Sequence, residues 1–178
     1  MTDAAGAGAR SADLATSEIT HLAATRGGFD THLEPFYETW LRTFIYEGRL
    51  DPQLRELAIL RVLWRCGRRF EWGNHYRFAR GAGVERETIA SVKTADPTRD
   101  LDGPVAVVVR AADDVVDHGF VRPGTLDQVR ELLDDPSHLD EFLYLVAGYR
   151  MFASVSQSRP EEPPGKWMLW PPDGVAPD

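Results

Sequence analysis

From Leu57 to Trp64 the chain leaves almost no hydrophilic face. Projected at about 100° per residue, Leu57, Ala58, Ile59, Leu60, Val62, Leu63 and Trp64 occupy nearly the whole circumference of a helix. A helix of this kind is buried. Asp51 followed by Pro52 supplies its N-cap and first turn, and the pattern runs to about Arg65 before Gly67 breaks it.

The segments around it read as helices too. Leu33, Phe36, Tyr37, Trp40, Leu41, Phe44 and Ile45 keep helical spacing behind a Thr31–Glu34 capping box, with Gly48 closing the run. A shorter helix is expected from about Phe70 to Arg80 and another over Glu85–Lys93. Val105, Val108, Val109, Ala112, Val115 and Val116 hold helical rather than strand phase through Asp117. Thr125 with Gln128 and Ser137 with Asp140 are the expected caps of the last two helices, the second carrying Leu139, Phe142, Leu143, Val146, Tyr149 and Phe152. No hairpin signal interrupts them, so the expected class is all-α, with about seven helices.

Residues 1–16, rich in Ala and Gly, read as a flexible arm, and 17–157 as one helical domain. The segment 158–178 carries prolines at 160, 163, 164, 171, 172 and 177, which forbid regular structure. It also holds Trp167, Met168, Leu169 and Trp170, which are costly to leave in water, so this tail is expected to dock on its own domain or on a neighbouring subunit.

Charge narrows the function. A net charge of −8 and a pI near 5.1 disfavour nucleic acid and anionic membrane surfaces, leaving small molecules as the expected partners. With Cys66 the single cysteine, no intramolecular disulfide forms. There is no signal-peptide core and no membrane-length apolar run, so the expected location is cytoplasmic.

On the Asp51 helix Glu56 falls between Leu60 and Leu63, an apolar setting expected to raise its pKa toward neutrality. On the next helix His75 lies at the centre of the buried arc, near Trp72. Glu71, four residues before it, is placed to hold one ring nitrogen and fix the tautomer of the other. Glu56, Glu71 and His75 are the expected catalytic groups, and Trp72, Leu60 and Leu63 the apolar wall of the substrate site. The alternative for His75 is a core histidine satisfied by a carboxylate. Arg68 and Arg69 lead into the His75 helix, where N-terminal N–H groups favour an anion, and Arg68 is the expected anchor for a substrate carboxylate.

Arg61 and Arg65 lie on the opposite side of their helix and read as an exposed or subunit-contact edge. Asp113, Asp114, Asp117 and His118 read as a solvated face rather than a metal site. Neither a metal nor a cofactor is expected, because zinc spacing, a Gly-rich phosphate loop and a nucleophile elbow are all lacking. Cys66 reads as a buried, inert thiol.

Leu50-Asp-Pro-Gln-Leu-Arg-Glu-Leu-Ala-Ile-Leu-Arg-Val-Leu-Trp-Arg-Cys-Gly, followed by Phe70-Glu-Trp-Gly-Asn-His-Tyr-Arg-Phe-Ala-Arg-Gly-Ala-Gly-Val84, closely resembles the carboxymuconolactone decarboxylase family, which includes the alkylhydroperoxidase D-like proteins. The resemblance implies an alkylhydroperoxidase D-like helical bundle and assembly into a homo-oligomer, a trimer or hexamer, with a dimer as the smaller alternative. In the redox branch, a glutamate matching Glu56 and a histidine matching His75 relay protons to a Cys-x-x-Cys pair. Here Arg68 and Glu71 stand at the two cysteine positions, which disfavours a dithiol peroxidase cycle. In the decarboxylase branch the resemblance implies cofactor-free loss of carbon dioxide from an unsaturated lactone acid. The C-terminal signature of the decarboxylases proper is replaced by Gly148-Tyr149-Arg150.

The leading expectation is a cofactor-independent lyase or decarboxylase acting on a small anionic cyclic carbonyl compound, with His75 as general acid/base. An isomerase, cyclase or dehydratase using the same residues is one alternative, and a non-catalytic binding or assembly module another. An alkylhydroperoxidase-type activity is the least favoured.

Overall fold

The computed structural model describes residues 32–94, 96 and 99–158, except for the side chains of Glu34, Arg69, Phe70 and Thr94. The arm expected over 1–16, the Thr31 cap and the Trp-containing tail lie outside the described residues. Those described are helical throughout, without strands: α1 (Glu34–Leu41), continued by a π-helical stretch over Arg42–Tyr46, then α2 (Pro52–Arg65), α3 (Arg69–Gly81), α4 (Arg86–Thr94), α5 (Gly103–His118), α6 (Pro123–Leu133) and α7 (Pro136–Gln157). None of these helices is long and apolar enough to cross a membrane.

The chain divides into two compact units, with the boundary between Arg49 and Leu50. In the first, α1 carries Tyr37, Trp40 and Leu41 as buried positions. The helix expected from the Phe36–Ile45 periodicity is realised with a widened last turn, in which the Glu47 N–H reaches the Arg42 carbonyl at 2.8 Å.

The second unit is built around α2, which packs against α3, α4, α5 and α7. The nine consecutive residues Glu56–Trp64 are all buried, as the missing hydrophilic face requires. The Asp51 carboxylate accepts the Gln53 and Leu54 backbone N–H groups, each at 3.0 Å, which satisfies two of the N-terminal donors that no helical carbonyl reaches. From α7, the buried Glu141 accepts the Leu50 N–H at 3.2 Å and so ties the last helix to the start of the central one. At the other end Gly67 adopts φ +65°, a left-handed conformation that turns the chain into α3 at little cost without a Cβ.

Two boundaries differ from the sequence expectation because proline and aspartate act first. Helix α6 begins at Pro123, two residues before Thr125, and that threonine is buried instead of capping. Helix α7 is capped by Asp135, whose carboxylate accepts both the N–H and the hydroxyl of Ser137 at 2.7 Å.

The polar residues of α2 and α5 also correct the sequence reading. Arg61 is not on an exposed edge. It is buried, with Nε donating to Asp113 Oδ1 at 2.7 Å, Nη2 to Oδ2 at 2.9 Å, and Nη1 to the Val92 and Lys93 carbonyls. This fork joins α2, α4 and α5. Arg65 is more exposed and pairs with Asp113 and Asp117, both at 2.7 Å. The acidic run of α5 is therefore half structural. Asp117 and His118 face solvent, whereas Asp113 neutralises Arg61 and buried Asp114 accepts from the Arg122 Nε at 2.6 Å. The reason is helical phase: residues 113 and 114 turn toward α2 and α6, where their charges meet arginines. Burial pushes the Asp114 carboxyl up, but hydrogen bonds from Thr125 and Arg122 outweigh it and hold the group below its ordinary 3.8.

Replacing Asp113 with Ala leaves a buried guanidinium without its carboxylate. It should cost about 3 kcal/mol in urea denaturation, while Asp117→Ala should stay within about 0.5 kcal/mol. Because the Asp114 carboxyl is depressed in the folded state, its contribution is present above the ordinary carboxyl range and lost as pH falls through it. Asp114→Asn should accordingly flatten the acid limb of the stability–pH curve.

Candidate functional site

Glu56 and His75 sit on consecutive helices and meet inside the second unit. Glu56 is 0% and His75 1% exposed, and His75 Nδ1 lies 2.7 Å from Glu56 Oε2. A carboxylate only accepts, so Nδ1 carries the shared hydrogen. The imidazole is further framed by aromatic rings. Tyr149 of α7 meets it edge-on at 4.9 Å and 88°, and Phe78 lies one turn along α3 at 5.5 Å.

Two expectations about the polar groups are corrected here. Glu56 does not lie alone in an apolar setting, because Arg55 Nε donates to its Oε1 at 3.0 Å while His75 occupies Oε2. Nor does Glu71 hold His75. Its Oε1 accepts from Arg68 Nη2 at 3.1 Å, and the tautomer-fixing contact belongs to Glu56. The i, i+4 spacing allowed Glu71 to reach the ring, but the neighbouring guanidinium at i−3 competes for the same carboxylate and is always charged. Arg55 was missed in the sequence because adjacent helical residues point about 100° apart. The one available signal was an arginine beside a buried glutamate.

Arg68 and Glu71 form a half-exposed ion pair at the mouth of α3, with side chains 23% and 24% exposed. Among the described residues, Arg68 Nε and Glu71 Oε2 are buried and carry no hydrogen bond. The pair lies four to seven residues before His75 in the chain. The side chain of Arg69 is not among those described. Trp72 lies 6.0 Å from Trp64 and stacks on Tyr76 at 5.7 Å, while Leu60 and Leu63 are closed within the core of α2.

Cys66 is buried at the end of α2, and its carbonyl accepts from Gln157 Nε2 at 2.8 Å. Burial pushes its thiol above the ordinary 9.0, against the smaller lowering influence of Arg150, Arg65 and Arg68. Thiolate is therefore scarce at neutral pH, which agrees with an inert role. At pH 8 an aromatic disulfide reagent should modify Cys66 in the folded protein at least ~10-fold more slowly than in urea. Equal rates would contradict this burial.

Residues 32–113, a little under half of the chain, match the family model for the carboxymuconolactone decarboxylase family. No curated protein and no solved structure matches the chain. The matched segment holds Glu56, Arg68, Glu71 and His75 together, and over it the protein is similar to the carboxymuconolactone decarboxylase family.

Proposed function

We propose that the protein is a cofactor-independent acid/base enzyme of the lyase or decarboxylase type, acting on a small anionic carbonyl compound of the lactone-acid kind. The observation that carries this reading is the buried Glu56–His75 contact at 2.7 Å, which presets the imidazole tautomer. An ion pair, Arg68–Glu71, at the positions where the redox branch of the resemblance has thiols, supports it further.

In this reading the substrate carboxylate approaches Arg68, whose guanidinium suits planar bidentate anions. Cleavage of the bond to carbon dioxide leaves an electron pair that delocalises into the carbonyl as an enolate, and the nearby cation offsets the developing charge. His75 Nε2 takes a proton from water and delivers it to carbon, and the hydroxide left behind combines with the released carbon dioxide as bicarbonate. The same base, taking a proton from carbon beside the carbonyl, would run an isomerisation or elimination. The roles are His75 as proton carrier, Glu56 as its orienter and Arg68 with Glu71 as the polar clamp. Trp72, Leu60 and Leu63 serve as the apolar wall. The reading includes assembly into a homo-oligomer, as the family resemblance implies.

A second reading has a specific observation in its favour: Glu56 and His75 are both closed off and locked onto each other. In a non-catalytic binding module the same contact would only pin α2 to α3. One variant separates the two. His75→Gln keeps an N–H able to reach Glu56 but cannot carry protons. Carbon dioxide release from a panel of lactone acids should fall at least ~100-fold, with a melting temperature close to the parent's. A parent protein that releases no carbon dioxide and isomerises none of the panel, with a His75→Gln variant that loses several kcal/mol, would establish the structural reading instead.

A further inference from the structure

Glu56 is fully buried, and a carboxylate removed from water costs several kcal/mol unless a cation and hydrogen bonds answer it. Two groups meet it. His75 reaches Oε2 at 2.7 Å, and Arg55 Nε reaches Oε1 at 3.0 Å. The second contact is not a by-product of helical spacing, since consecutive helical residues diverge by about 100° and do not face each other. Arg55 makes it with only 12% of its side chain exposed. Long, flexible side chains resist such immobilisation, so the contact marks a guanidinium held in place.

The charge count at the pair depends on this arginine. A buried carboxylate draws one compensating positive charge. If Arg55 supplies it, His75 binds the carboxylate as a neutral imidazole through Nδ1–H. If Arg55 is removed, the imidazole is the remaining partner among the described contacts, and the low-dielectric surroundings favour drawing a proton onto it. A charged imidazolium has no lone pair and cannot act as a base.

We propose that Arg55 is a positioning residue of this site: it supplies the positive charge for Glu56 and thereby keeps His75 neutral, with its hydrogen on Nδ1 and its lone pair on Nε2. The functional meaning rests on the reading of His75 as a proton carrier, but the charge state itself is measurable without a substrate. Among the described residues of α3 and α7, Phe78 and Tyr149 meet the ring, Glu71 is engaged by Arg68, and Arg150 donates to the hydroxyl of Ser154.

The test uses the full chain labelled with nitrogen-15, observing the ring nitrogens of its five histidines by long-range proton–nitrogen NMR, with His75 assigned through His75→Gln. In the parent at pH 7 the His75 signals should show a protonated Nδ1 and an unprotonated Nε2. Arg55→Gln should convert them to the doubly protonated pattern and move the His75 titration upward by about one pH unit or more. Arg55→Lys should restore most of the parental behaviour. The double variant Arg55→Gln/Glu56→Gln, which removes the buried charge together with its cation, should return His75 to the neutral form. It also keeps the test open if Arg55→Gln alone does not fold, because a charged His75 in the double variant would overturn the proposal. So would a charged His75 in the parent, or a folded Arg55→Gln variant with unchanged His75 signals. A neutral His75 in a protein that turns over none of the lactone acids supports the assignment to Arg55 while counting against the catalytic reading, so the two fail separately.

Discussion

The burial of α2 is the constraint from which the rest of the structure follows. Nine consecutive residues without access to water require neighbours on every side, and α3, α4, α5 and α7 supply them. Each apolar side chain so enclosed contributes on the order of 1.5–3 kcal/mol. The same enclosure leaves little tolerance for the polar residues it carries. Glu56 and Arg61 both lie within the buried run, so each must find its partners inside the protein.

They do so in opposite directions and with different consequences. Arg61 is answered by Asp113 and two backbone carbonyls, a closed arrangement that ties α2 to α4 and α5. Every part of that fork is used by the fold. Glu56 is answered by Arg55 and His75, and a histidine partner differs from an arginine in one respect: its charge is not fixed at physiological pH. The two buried carboxylate pairs of this helix therefore divide into a structural one and one whose protonation can change. The Arg68–Glu71 pair stays partly open to solvent.

Much of the fold is legible in the residues alone. The circumference of Leu57–Trp64, the Asp51–Pro52 start and the break at Gly67 are local properties, and the structure realises each of them. Caps were less legible where several polar residues compete near one helix start, as at Asp135 and Ser137. The residue that wins is decided by where proline fixes the first turn. Glu56, His75 and Arg68 stand out in the sequence by type and phase. Their pairing does not, because Glu71 has the spacing to hold His75 and loses it to the guanidinium three residues earlier.

The sequence by itself determined that the described residues are helical, that α2 is their buried centre, and that Glu56 and His75 lie on buried faces. Those properties depend on periodicity, capping chemistry and the cost of exposing apolar surface, all of which act over a few residues. Only the tertiary structure decided who partners whom: Glu56 with His75 and Arg55, Glu71 with Arg68, Arg61 with Asp113. Hydrogen bonds and charges select partners by distances of about 3 Å. For contacts between helices, those distances are fixed only when the helices have packed.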